Sequence, residues 1–216
     1  MTSSKPREIL IDELVAQASP VARPGRTDRD AFRWLGAAAA LAILALIVSS
    51  PWRAGALVQL LETPRLLAES LLGVAAIISL GRAAFRSGIP SVTPIARQIR
   101  WPLALLALWV ATYAYGLIDP ALPVSMSGKR AHCWLEALVL GAPGLALGCY
   151  ALRRMWPLHG VWSGALLGLA AGAMPALAMQ FACMYAPLHI LLFHLLPGLA
   201  LGGIGALVGA LALRPR

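Results

Sequence analysis

The chain has 216 residues, of which 59% are hydrophobic and 12% are charged, and its mean hydropathy is +0.75. These values exclude an ordinary soluble globular domain and indicate a membrane protein. The formal net charge is +9, but the arginines stand between apolar runs, where they set membrane topology, so this charge does not imply nucleic-acid binding. Three cysteines are too few for a disulfide scaffold.

The chain opens with a short two-faced segment, residues 9–24, ahead of the apolar sequence. Five apolar side chains share one arc of a helical wheel: Leu10, Ile11, Leu14, Val15 and Ala18. The acidic Asp12 and Glu13 occupy the remaining face, and Ser19-Pro20 ends the predicted helix. The pattern therefore predicts a short amphipathic helix.

Such a helix is marginally stable by itself in water, so it needs a surface to cover. Interfacial helices carry lysine and arginine on their polar face, whereas this polar face is acidic, so a partner protein with a hydrophobic groove and basic edges fits better than the membrane plane. A membrane-surface or bundle-docked helix and a disordered segment are the alternatives. Residues 1–30, the helix with its linker, are predicted to form one cytoplasmic unit ahead of a membrane domain at 31–216.

Six apolar runs are long enough to cross about 30 Å of hydrocarbon as helices. They cover approximately residues 32–50, 66–81, 101–119, 134–152, 161–181 and 189–213. The second run is the weakest, because it is short and contains Glu69. No run alternates polar and apolar residues as a transmembrane barrel requires. The predicted fold class is an all-α polytopic membrane protein with six transmembrane helices, in which glycines spaced four residues apart allow close helix packing.

The lysines and arginines predict the orientation of the spans. With six spans, fourteen of them fall in segments on one side of the membrane, including both termini, and only Arg53, Arg65, Lys129 and Arg130 fall on the other. Positively charged segments stay in the cytoplasm, so both termini are predicted to be cytoplasmic. A cleaved signal peptide is not expected, because the first apolar run follows some 30 polar residues and has the length of a full span.

This topology gathers the reactive side chains at the outer face. His132 and Cys133 precede the fourth span, Cys183 follows the fifth, and His189 begins the sixth. Thiolates and imidazoles are ligands for zinc, copper(I) and similar ions. Three hypotheses stay open: metal or thiol sensing, a permanent disulfide, and helix-end packing without chemistry.

Three acids lie at the same level as possible supporting residues: Glu69, Asp119 and Glu136. An acid inside a span is a functional hypothesis by default, because its burial is costly. A further histidine, His194, lies five residues after His189, about 140° around an ideal helix. These two histidines are therefore not expected to bind one ion, and His194 is expected to form an intramembrane hydrogen bond.

The N-terminal "LIDELVAQASPVARP", the six spans, and the cysteines in "AHCWLEALVLGAPG" and "CMYAPLHILLFHLLPG" resemble the NrsF-like family, the negative regulators of sigma F. These are six-helix inner-membrane proteins that hold an extracytoplasmic-function sigma factor at the membrane. The resemblance implies that Leu10, Ile11, Leu14 and Val15 contact the sigma factor, and Asp12 on the same helix is expected to join them. It also implies that Cys133 and Cys183 respond to metal or oxidant stress. His132 and His189, at the same level, are expected to take part.

This chain departs from the family pattern at two places. An acidic residue commonly follows the second cysteine, and a Trp-His pair lies in the last helix. Here Met184-Tyr185-Ala186 and Phe193-His194 stand at those positions.

The resemblance implies a regulator and not an enzyme. The helix would sequester the sigma factor and release it on a metal or oxidative signal at periplasmic-face cysteines. The expected partners are the sigma factor and membrane lipid, without direct nucleic-acid contact, and no cofactor is expected beyond a transient metal ion at Cys133 and Cys183. The alternative is a membrane thiol-redox, metal-binding or transport protein. The sequence lacks the CxxC or phosphate-loop motif that a membrane enzyme or thiol-redox protein would be expected to carry. Its polar residues also do not run through the full membrane depth, as a transporter requires.

Overall fold

The structure is a computed structural model that describes residues 5–17, 27–49, 52–89, 93–155 and 157–213. Within these residues all regular secondary structure is helical, with no strand, as predicted. The helices are α1 (Lys5–Gln17), α2 (Thr27–Ser49), α3 (Ala56–Glu62), α4 (Pro64–Arg86), α5 (Ile95–Tyr115), α6 (Cys133–Arg153), α7 (Gly160–Ala182), α8 (Pro187–Ile190) and α9 (Leu196–Ala212). A π-helical turn, Leu191–Leu195, joins α8 to α9.

Five helices are long and apolar enough to cross a membrane: α2, α4, α6, α7 and the continuous last helix Pro187–Ala212. The run predicted at 101–119 corresponds to α5, which begins six residues earlier. This helix has 21 residues, but Arg97 and Arg100 in its first turns and the tyrosines near its end lower its hydropathy, so it is not among the five. The short helix α3 was not predicted.

The start of α2 lies within the segment predicted to be a linker. Residues 27–30 form its first turn, and residues 18–26, including Ala18 and Ser19-Pro20, lie outside the described residues. Asp28 accepts hydrogen bonds from Arg82 and Arg86 of α4, with Nη2 to Oδ2 distances of 3.2 and 2.9 Å. These ion pairs connect the beginning of α2 to the end of α4.

The last two long helices, α7 and α9, approach each other through glycine, as the four-residue spacing predicted. A methyl group added to Gly172 would lie 2.6 Å from the Cα atom of Gly198. Methyl groups at Gly164 and Gly168 would clash with the backbone carbonyls of Gly205 and Leu201. Backbone atoms cannot rotate away as side chains can, so only glycine permits this contact.

A buried polar network joins α4, α5 and α7. The Tyr113 hydroxyl donates to Oε1 of Gln180, and Nε2 of Gln180 donates to the Ser70 hydroxyl at 2.7 Å. The Ser70 hydroxyl in turn donates to the Leu66 carbonyl at 2.7 Å. A satisfied network of this kind rigidifies an apolar interior, because each member would be costly to bury alone.

The glycine contact predicts a large difference in the free energy of unfolding between two glycine-to-alanine variants. Gly168→Ala would push α7 away from α9 and lower the free energy of unfolding by about 1–3 kcal/mol. The matched control is Gly203→Ala in α9, where an added methyl group meets nothing within 4 Å and alanine favours the helix by about 1 kcal/mol. Unfolding in a mild detergent, followed by circular dichroism, measures both. Equal stabilities of the two variants would contradict the proposed tight contact.

Candidate functional site

The N-terminal helix α1 presents its apolar side chains without a cover. Leu10, Leu14 and Val15 are 55%, 59% and 68% exposed, and Ile11 is exposed as well. Ile9, which the sequence analysis left out of the apolar arc, lies on the opposite side of the helix and is also exposed. No described residue of the chain buries this surface, so the helix is available for another surface.

Two cysteines meet where α6 begins and α7 ends. Cys133 is the first residue of α6, Cys183 directly follows α7, and both are buried. Their Sγ atoms lie 3.1 Å apart, and Cys133 Sγ also lies 3.3 Å from the Arg130 carbonyl oxygen. The two thiols that sequence analysis singled out are therefore direct neighbours, and both are free thiols in this structure.

Two histidines of the last helix complete this group. Nε2 of His189 lies 3.4 Å from Cys183 Sγ, and the imidazole ring of His194 lies 5.0 Å from that of His189. Cys133, Cys183, His189 and His194 form the thiol–imidazole cluster, in which one ligand atom from each residue lies within 4.8 Å of the others.

The expectation that His189 and His194 point in different directions is wrong. The N–H of Leu196 bonds to the carbonyl of Leu191, five residues earlier, so the chain makes a π-helical turn in which residues five apart lie on one face. Pro197 follows directly; it lacks an N–H and cannot make the normal helical bond to the Phe193 carbonyl. The histidine spacing together with this proline is the sequence signal that points to the turn.

His194 was expected to form an intramembrane hydrogen bond. Its side chain is completely buried. Neither ring nitrogen makes a hydrogen bond of regular geometry within the described part of the chain, but the ring interacts with the Cys183 thiol. Conversely, His132, which was predicted to take part, is exposed and lies outside the cluster. Cys149 is buried in a separate apolar cluster of the bundle, as expected of a small apolar residue.

The surroundings of Cys183 favour its ionised form. The hydrogen bond with Cys133 lowers the pKa of the Cys183 thiol below its usual value, although burial acts in the opposite direction. Arg53, which sequence analysis counted only as a topology signal, is buried nearby. Burial lowers the pKa of Arg53, and the charge of Cys183 opposes that effect. Arg53 and Cys183 are therefore close enough to interact electrostatically.

The three predicted supporting acids are held by arginines and contribute no ligand to the cluster. Arg65 joins Glu69 and Asp119, at 3.2 and 2.8 Å. Arg130 binds Glu136 at 2.6 Å, and this pair adjoins the cluster through the Arg130 carbonyl. These acids form two separate ion-paired groups rather than the row of carboxylates that an ion path requires.

The Arg65 bridge predicts unequal effects for its two acids. Glu69 is 3% exposed, so Arg65→Ala leaves a buried carboxylate unpaired and costs about 3–5 kcal/mol of unfolding free energy. Asp119→Asn breaks the other ion pair, but the Asp119 side chain is 62% exposed, so we expect a loss below about 1 kcal/mol. Denaturation in detergent compares the two variants. Restoration of stability by Glu69→Gln in the Arg65→Ala background is the control, and equal losses for the two single variants would refute this assignment.

Comparisons with known proteins agree with the resemblance. The family model described as "Negative regulator of sigma F", NrsF, matches residues 14–214. The curated anti-sigma-F factor NrsF of Caulobacter vibrioides (strain NA1000 / CB15N) is 28% identical over 218 residues, which cover 95% of this chain and 97% of that protein. No solved structure matches the chain. The family match includes Leu14, Val15 and the whole thiol–imidazole cluster, and it begins after Leu10, Ile11 and Asp12.

Proposed function

The chain belongs to the family of negative regulators of sigma F, NrsF, and from this premise we propose that it is a membrane anti-sigma factor that sequesters an extracytoplasmic-function sigma factor. Family membership over most of the chain is the observation that carries the proposal. The similarity to a protein named an anti-sigma-F factor, over 95% of the chain, supports it further. The five helices that are long and apolar enough to cross a membrane support its attachment to a membrane.

The contact with the sigma factor is assigned to α1. Leu10, Leu14 and Val15 are exposed on one arc, and burying each of them in a groove contributes roughly 1.5–3 kcal/mol. Asp12 and Glu13, also exposed, favour basic residues at the groove edges. Part of this gain is lost because the short helix must be ordered on binding. Attachment to the membrane compensates by keeping the partner local.

The topology we propose has six spans, with α5 as the third, in the bacterial inner membrane. Its 21 residues extend about 30 Å at 1.5 Å per residue, which matches the hydrocarbon thickness. It packs against α4 within the bundle. With six spans both termini are cytoplasmic, so that α1 is on the side where a sigma factor works.

The signal is proposed to act at Cys133 and Cys183, as metal binding or as oxidation of the two thiols. These residues lie at the start of α6 and directly after the end of α7, where the two helices meet. The end of α7 also contacts the segment that follows α2: the N–H of Arg53 donates to the Phe181 carbonyl at 3.1 Å, and Trp52 stacks on Phe181. A change at the thiols would thus reach α2, which leads back to α1. A coupling of about 1.4 kcal/mol between two such states changes sigma affinity tenfold.

Charge placed in the apolar arc of α1 should release the sigma factor. Leu10→Asp and Leu14→Asp each remove a buried leucine from the contact, so we expect at least about tenfold weaker binding and constitutive expression from a sigma-dependent promoter reporter. Ile9→Asp is the matched control, because it adds the same charge to an equally exposed position on the other side of α1. The readouts are reporter activity and capture of the sigma factor on the detergent-solubilised tagged protein.

Immunoblotting of membranes checks that each variant is present in equal amount. Full repression by Leu10→Asp and Leu14→Asp would remove α1 as the contact. Failure of the unaltered protein to retain any sigma factor would overturn the anti-sigma proposal itself.

Removal of both thiols should uncouple the signal from repression. The Cys133→Ser, Cys183→Ser double variant keeps α1 unchanged, so we expect normal repression but no induction of the reporter by cadmium or peroxide. Cys149→Ser is the control, because that thiol lies in the other apolar cluster. Induction that persists in the double variant would move the sensing site elsewhere.

A further inference from the structure

The thiol–imidazole cluster has the composition and spacing of a complete metal site. We propose that Cys133, Cys183, His189 and His194 together bind one soft or borderline divalent metal ion, of the class of Zn²⁺ and Cd²⁺. The claim that this ion is the inducing signal rests on the proposed function. The claim that the four residues bind the ion can be tested on the purified protein alone.

The distances fit a tetrahedral ion. Zinc bonds of about 2.3 Å to sulfur and 2.0–2.1 Å to nitrogen place neighbouring ligand atoms roughly 3.3–3.8 Å apart. Here the two Sγ atoms are 3.1 Å apart, Cys183 Sγ is 3.4 Å from His189 Nε2, and all four ligand atoms lie within 4.8 Å of one another. Side-chain movements of about 1 Å would bring the donors to bonding distance. His194, excluded by an ideal helical wheel, supplies the fourth ligand because of the π-helical turn.

His194 is the observation that points to a ligand rather than to packing alone. A buried imidazole without a hydrogen-bond partner is costly, and buried polar side chains in proteins are nearly always satisfied. His194 is fully buried, and neither of its ring nitrogens makes a hydrogen bond of regular geometry among the residues that the structure describes. The Cys183 thiol is the group with which the ring interacts. A metal ion in the cluster would satisfy one of these nitrogens.

The ligand types select the class of ion. Two thiolates offset the charge of a divalent cation within the ligand set, which limits the cost of burying it. Sulfur and nitrogen ligands disfavour Mg²⁺ and Ca²⁺, which require oxygen, and the nearby carboxylate of Glu136 is bound by Arg130. On binding, the two thiols lose their protons to solvent, and no electrons are transferred.

Four protein ligands leave no open coordination position, which is the arrangement of structural and regulatory sites rather than catalytic ones. The ligands come from the start of α6, the end of α7 and the last helix, including its π-helical turn. One ion would therefore connect three helices. A disulfide between Cys133 and Cys183 would consume both thiolates, so the oxidised protein should not bind the ion.

The test is a metal titration of the full-length protein, reduced and purified in mild detergent. With Cd²⁺ as the probe, sulfur-to-metal charge-transfer absorption should saturate at one ion per chain. Cys133→Ser and Cys183→Ser should abolish this signal, and His189→Ala and His194→Ala should each weaken binding at least about tenfold, the effect that loss of even an outer-shell partner produces. His132→Ala and Cys149→Ser are matched controls that should bind as the unaltered protein does.

A second measurement needs no variant, in case His194→Ala does not fold. X-ray absorption of the Zn²⁺-loaded protein should find two sulfur ligands near 2.3 Å and two nitrogen ligands near 2.0 Å. Absence of stoichiometric binding, or a coordination shell without two nitrogens, would overturn the site. If the protein binds Cd²⁺ but retains no sigma factor, the metal site stands and the proposed function is wrong. If the protein represses the reporter without binding metal, the proposed function stands and the metal site is wrong.

Discussion

The close approach of α7 and α9 is the contact on which the rest of the structure depends. Glycine at positions such as 168 and 172 leaves no Cβ atom where the two backbones come closest, and in a membrane this van der Waals packing replaces the hydrophobic effect as the force that joins helices. The last helix is continuous from Pro187 to Ala212, so fixing α9 against α7 also fixes the histidines at its other end. The thiol–imidazole cluster is a consequence of that pairing.

Most buried polar groups in this apolar bundle have a partner. Glu69 is held by Arg65 and Gln180 by Tyr113 and Ser70, because an unpaired polar group in a low-dielectric interior is costly. The imidazole of His194 is one of several buried groups with a polar atom that makes no regular hydrogen bond among the described residues. It is the one that lies among other possible metal ligands. The paired groups are explained by their contribution to stability. The thiol–imidazole cluster is the remaining group of buried polar side chains that could bind an ion.

The two functional regions differ in how they are built. The cluster is buried, and three helices position its donors, so a small change in bonding alters the relative positions of those helices. In contrast, α1 is separated from α2 by residues 18–26, and its apolar side chains are exposed, as the proposed contact with a partner requires. A regulator needs both properties: a rigid site that responds to a signal and a separate segment whose fit to a partner can be altered.

The sequence by itself determined the helical class, the approximate positions of the six long helices and several of the residues that meet at one end of the bundle. A helix is the only open-chain structure that satisfies backbone groups in lipid, so hydropathy alone is sufficient for that prediction. Glycine spacing likewise predicted the close face of α7, and the position of Cys133 and Cys183 at neighbouring helix ends placed them on one level.

Only the tertiary structure decided which of these residues meet. A helical wheel assumes a constant period, but the π-helical turn changes the period locally and brings His194 beside His189, while His132 remains exposed. The rotation of each helix about its axis, and the long reach of Arg65 and Arg130, decide which side chains pair. Hydropathy does not contain that information, because it counts how apolar a segment is and not which neighbour each of its faces contacts.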